Sequence, residues 1–184
     1  MKLLFVKSNQ IGSKLIRSGL QEDCSHFAVC FDDQAKGSGI VFESNAKGAV
    51  LSWFGYFKRT HYLVHALSFK EPMGLAAEEE IYRSMLAQYS GQGYDWRAIG
   101  YWILQVIGHR VLGLPIAKQN AWQQAGYNLC TGLAGGIPCI AGWARENGVD
   151  LEMIGPQDLY LRLLKSGHFD DERIWCAVQN LPKS

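Results

Sequence analysis

The apolar residues of this chain change their spacing once, and that change constrains the fold more than any other feature. Up to about residue 67 they come in short β-branched and aromatic runs bounded by Gly, Asp or Asn. These predict strands near Leu3–Lys7, His26–Phe31, Gly39–Glu43, Ala49–Trp53 and Thr60–Leu67. From Ala76 the apolar residues recur at helical intervals. Ile81, Met85, Leu86 and Tyr89 mark a helix over Ala76–Tyr89, with Glu78, Glu79 and Glu80 in its first turn. A second helix runs from Trp96 to about Leu112, where Gly113 and Pro115 end it. Asn128–Asn147 reads as helical but broken or kinked by Gly135, Gly136 and Pro138, and Pro156 opens a further helix over Gln157–Lys165. Ile174–Val178 is expected to return to the sheet as a last strand. Strands gathered early and helices late predict an α+β fold, an antiparallel sheet packed against helices.

A chain of 184 residues suits one domain and can bury a two-layer core without disulfides or a structural metal. Lys plus Arg number 18 against 17 for Asp plus Glu, so no strong field draws a polyanion and nucleic acid is not expected as a partner. The five cysteines are odd in number and irregularly spaced, and the start from Met1 to Lys7 returns to charge too early for a signal sequence. Both point to a reduced, cytoplasmic compartment; action outside the cell would then need lysis, a virion or a secretion machine. Ala98–Ala117 is the most apolar stretch, but Gln105, His109 and Arg110 interrupt it, and a span needs ~20 mostly uncharged residues. Stable membrane insertion is not expected.

Cys130 stands in Tyr127-Asn128-Leu129-Cys130-Thr131-Gly132, where a polar segment turns into an apolar helix. A thiol at a helix start gains from the dipole and from free backbone N–H groups, which favour the thiolate. His26 opens an apolar strand in Ser25-His26-Phe27-Ala28-Val29, a position from which an imidazole can face a helix terminus at the sheet edge. Glu43, in Val41-Phe42-Glu43-Ser44-Asn45, follows an apolar run on the next strand and could orient that imidazole, with Asn45 in reserve.

In this order the pieces resemble the permuted papain-like amidases, the YiiX/YaeF-like branch of the NlpC superfamily that lies near lecithin:retinol acyltransferase. The matching text is Ile11-Gly12 through Ile16-Arg17, Ser25–Val29, Val41–Ser44 with Gly48-Ala49-Val50, Gly93-Tyr94-Asp95, Tyr127–Cys130 and Ile154–Leu159. The resemblance implies a circularly permuted papain-like (NlpC-type) fold in which Cys130 attacks, His26 deprotonates it and Glu43 holds His26. It places Tyr127 near the oxyanion. The family commonly has Ser then Glu after its cysteine, whereas Thr131 and Gly132 stand here.

The expected activity is that of a thiol hydrolase or acyltransferase on an amide, ester or thioester, with cell-wall peptides or lipid-linked acyl groups as the substrates the resemblance implies. The alternative is a binding or structural module on the same fold, for instance in a virus particle. On the Trp96–Leu112 helix, Ile99, Trp102, Ile103, Val106 and Ile107 form an apolar stripe, either core or the wall of an acyl pocket to which Trp102 would contribute. His61 and His65 have the separation of a metal pair, but their segment alternates as a strand and lacks a nearby third ligand. No metal and no cofactor are expected.

Overall fold

The computed structural model describes residues 1–8, 13–14, 17, 22–33, 38–115, 117 and 121–180. Of the Ile11–Arg17 part of the family match, Ile11, Gly12, Leu15 and Ile16 lie outside them. Strands β1 (Lys2–Ser8), β2 (His26–Asp33), β3 (Ser38–Asn45), β4 (Gly48–Trp53), β5 (His61–Phe69) and β8 (Phe169–Asp171) form one sheet in the order β4-β3-β2-β1-β5-β8. Every neighbouring pair is antiparallel. A separate parallel pair joins β6 (Gly93–Tyr94) to β7 (Tyr127–Asn128). The fold is α+β.

The pleat divides the central strands between two cores. Leu3, Phe5, Phe27, Val29, Phe42 and Leu67 face one way. Packed on them are α2 (Leu75–Tyr89), the 3₁₀ helix Thr131–Gly136, α4 (Pro138–Glu146) and α5 (Pro156–Lys165), through Met85, Leu133, Ile140, Leu159 and their neighbours. Leu4, Val6, Ala28, Val41 and Leu63 face the other way, against Phe57 of α1 (Phe54–Thr60) and Cys176 of α6 (Arg173–Gln179). Truncating one of the fully buried rings, Phe5, Phe27 or Phe42, should cost about 3–5 kcal/mol.

The register shifts on β5 opposite Phe5 and Val6: Phe5 pairs with His65, but Val6 pairs with Leu63. The extra residue, Val64, reverses the alternation, so Leu63 and His61 lie on the α1 side and His65 on the α2 side.

Two expectations are corrected. Ile174–Val178 is helix, within α6, and the strand that returns to the sheet is β8 just before it. A short apolar run does not tell strand from helix, and here Trp175 and Cys176 are used to cover the second face of the sheet. The Asn128–Asn147 segment holds no single helix: β7, the 3₁₀ helix and α4 follow in turn, with Pro138 starting α4. The helix Trp96–Leu112, here α3, begins on Asp95, whose Oδ1 accepts from Ala98 N at 2.8 Å, and ends on Gly113 in the left-handed region at φ 67°.

Candidate active site

His26 pairs with Val6 at the start of β2, and Glu43 pairs with Ala28, so the pleat sends both side chains to the α1 side of the sheet. His26 Nε2 donates to Glu43 Oε2 at 2.8 Å, and both residues are buried. Cys130 lies close enough to the same ring to bear on its charge.

Burial pushes the His26 imidazole down, but hydrogen bonds to Cys130 and Glu43, together with their charge, outweigh it and hold the ring up at about 10. Burial likewise pushes Glu43 up, and the bond to His26 with its positive charge brings the carboxylate below its ordinary range. The arrangement therefore favours an imidazolium held between a carboxylate and a sulfur. Asn45, the reserve for Glu43, supports it instead through a hydrogen bond and also accepts from Lys47 N at 2.9 Å.

Cys130 is 6 % exposed and caps the 3₁₀ helix, with φ −59° and ψ −38°. Its backbone is held by Glu152, whose Oε2 accepts from Leu129 N at 2.9 Å. That carboxylate also fills the space beside Gly132, so a side chain there would require Glu152 to move. Burial pushes Glu152 up to about 7; the Leu129 bond opposes this, and Asp150 and Asp95 add to it.

The β6–β7 pair sets Tyr94 opposite Asn128, and Tyr94 and Cys130 line one small cavity. Burial, then the negative charge of Cys130 and Glu152, holds the Tyr94 phenol well above its ordinary value, so it remains a donor. The place of Tyr94 beside Cys130 was not legible in the sequence, although Gly93-Tyr94-Asp95 carries part of the resemblance. Tyr127 lies elsewhere: it is 45 % exposed and its ring covers Gly93, where a Cβ would collide with it. It borders a surface cleft with Gln124 and Gln92, not the cavity at Cys130.

Trp102 is 8 % exposed and does line the Cys130 cavity, with Ile99, Leu129, Thr131 and Ile154. The volume is about 20 Å³. A water needs roughly 10–15 Å³, so this space takes one water-sized group and no acyl chain. Leu104, Ile107, Val111 and Leu112 of the same helix are exposed.

On the other side of His26 lies a cleft of about 390 Å³ that includes Glu43, Lys47, Tyr56 and His61 in its wall. The cleft and the small cavity share Ser25 and Tyr94. His61 and His65, set aside above as a metal pair, do not meet. His65 stacks on Tyr160 at 3.9 Å between ring centres, whereas His61 Nε2 lies 4.0 Å from Glu43 Oε2. Burial, then the positive charge of His26, lowers the His61 imidazole against the pull of Glu43, which favours the neutral ring.

Among the other cysteines, burial pushes the thiols of Cys24, Cys139 and Cys176 up. Among the described residues no helix is long and apolar enough to cross a membrane.

No protein-family model matches the chain, and no curated protein does. Among solved structures it is similar to the crystal structure of the metalloprotein YiiX from Escherichia coli O157:H7, a DUF1105 protein, with a TM-score of 0.51 and 12 % identity. The match covers 92 % of this chain and 93 % of that one. At this identity the likeness speaks of the backbone alone, and over nearly its whole length the chain has a YiiX-like fold.

Proposed function

We propose that the chain is a thiol hydrolase or acyltransferase with Cys130 as nucleophile, His26 as general base and acid, and Glu43 as the group that orients His26. One observation supports this: a buried imidazole bonded at 2.8 Å to a carboxylate from β3 stands near enough to the Cys130 sulfur for the two to affect one another's charge. A histidine so placed can take the thiol proton and return it to the leaving group. The thiolate adds to the carbonyl carbon, the tetrahedral intermediate expels its leaving group with the proton from His26, and the acyl-enzyme passes its acyl group to water or another acceptor. The Tyr94 hydroxyl, protonated beside Cys130, is suited to donate to the developing oxyanion.

The tight cavity at Cys130 has room for a carbonyl oxygen and little more, and the wider cleft past Tyr94 and Ser25 suits the body of the substrate. A peptide-like amide fits this division better than a long lipid chain. A circularly permuted papain-like relation, with the histidine strand early and the cysteine late, is part of the same proposal.

A panel of activated esters, thioesters and peptide amides, followed by intact-mass and peptide mapping, tests the reading. An acyl adduct on Cys130 that is absent from Cys130→Ala is the expected result. Turnover that survives Cys130→Ala rejects it.

A second reading is that the protein binds a metal. His26, Glu43 and His61 each offer one ligand atom, and these atoms lie within 4.8 Å of one another. The similar YiiX is itself a metalloprotein. Two imidazoles and a carboxylate suit a zinc-class ion, which when bound supplies Lewis acidity. Retention of one ion per chain through a desalting column after incubation with Zn²⁺ would support this reading.

A further inference from the structure

The thiol chemistry and the metal cluster make competing claims on the same two atoms. His26 Nε2 and Glu43 Oε2 are bonded to each other at 2.8 Å, and they are also two members of the three-residue cluster. The third member, His61, is set up as a ligand and has no part in the thiol mechanism. Its Nδ1 lies 3.2 Å from the carbonyl oxygen of Phe57 and 3.0 Å from Thr60 Oγ1. A carbonyl only accepts, so the proton sits on Nδ1 and the Nε2 lone pair points toward Glu43. A carbonyl in this place is a common outer partner of a metal-bound histidine. The ring is also clamped, stacked on Phe57 at 4.2 Å and facing His26 at 5.5 Å with 21° between planes.

Zinc-class bonds of about 2.0–2.2 Å in a tetrahedron put ligand atoms roughly 3.3–3.5 Å apart. The separations from Glu43 Oε2, 2.8 Å to His26 and 4.0 Å to His61, fall on either side of that value, and the cluster opens on the wide cleft.

We propose that this cluster is an inhibitory site for a zinc-class divalent cation, which switches off Cys130 by occupying its base. The proposal rests on the thiol reading above. An ion on His26 Nε2 and Glu43 Oε2 breaks the 2.8 Å bond by which Glu43 orients the ring, and an imidazole with one nitrogen on a metal and a proton on the other has none free to take the Cys130 proton. Metal binding and general-base action by His26 therefore exclude one another, and His61 is the residue that belongs to the metal state alone.

The test uses the full chain, Co²⁺ as a spectroscopic probe and Zn²⁺ as the effector. Co²⁺ should bind one per chain with tetrahedral ligand-field bands and no sulfur-to-cobalt charge-transfer band. One equivalent of Zn²⁺ should slow iodoacetamide labelling of Cys130 by about tenfold or more, reversibly with EDTA. In His61→Ala, whatever its own labelling rate, Zn²⁺ should no longer change that rate. A sulfur charge-transfer band, no bound ion at micromolar metal, or unchanged Cys130 labelling in the ion-loaded chain would each overturn the proposal. If His61→Ala does not fold, the Co²⁺ spectrum of the unaltered chain decides by the presence or absence of the sulfur band. The thiol reading fails separately, through a Cys130 that is inert before any metal is added.

Discussion

The two sides of the His26 ring differ in composition and in space. At Nε2 it meets Glu43, with His61 beyond, and a cleft of about 390 Å³. Cys130 lines a separate cavity of about 20 Å³ with Ile99, Trp102 and Leu129. The wide side has room for ions and the body of a substrate; the narrow, apolar side has room for one water-sized group. The contrast sets the sulfur and the open cleft on different sides of one five-membered ring.

The largest effect should come from cutting the link between the sides. His26→Ala is expected to slow Cys130 alkylation at pH 7 by about 10²–10⁴-fold, and an unchanged rate would mean that sulfur and imidazole do not act together. The same variant has a signature in stability. The His26 imidazole is held up at about 10, so its stabilising contribution is present below the unfolded value near 6.5 and is lost as pH rises through 10. Urea titrations of His26→Ala should lack that alkaline decline.

Next in size is the wall of the narrow side. Trp102→Ala should cost about 3–5 kcal/mol in urea unfolding, as for a buried aromatic, and leave chain-length preference among acyl substrates unaltered. A stable variant with a shifted chain-length preference would instead make α3 a movable cover and blur the contrast.

Smaller still is the effect of the carboxylate beneath the nucleophile. Glu152 ionises near 4.5 when unfolded and only at about 7 when folded, so it costs stability as pH rises across that interval, and the cost persists above it. Glu152→Gln, which keeps an acceptor for Leu129 N, should gain about 1–3 kcal/mol relative to the parent between pH 4.5 and 8. A constant difference across that range would show that Glu152 titrates as an exposed carboxyl.

The smallest effect is expected at Tyr127, outside both spaces. Its truncation to Ala should change stability by about 1 kcal/mol or less and leave Cys130 alkylation as it was. A rate loss comparable to that of His26→Ala would return Tyr127 to the site.

What could be read from sequence follows the same division. The central strands were legible as continuous apolar runs because both of their faces are buried, and the end of α3 was legible because Gly113 acts locally. His26, Glu43 and Cys130 stood out through chain order, and the fold bonds Glu43 to His26. Tyr94 did not, because its place beside Cys130 depends on pairing with Asn128, a non-local contact with no periodic trace. Tyr127 was assigned by proximity in sequence, but the strand conformation of β7 turns its ring over Gly93. The Ile174–Val178 run was too short to fix its own period.

The shift opposite Phe5 and Val6 makes β5 two half-strands out of phase with each other. Deleting the single residue Val64 would restore the phase, and the segment before it would have to rotate by half a pleat to keep its ladder. His61 would then leave Glu43 for the opposite face, and Leu63 would leave its core with it. One lost codon at a position that touches no proposed ligand could thus erase the cluster and leave the chain order of Cys130, His26 and Glu43 untouched. In a lineage of such chains, the length of this strand should correlate with the presence of its histidine more tightly than the residues around the histidine do.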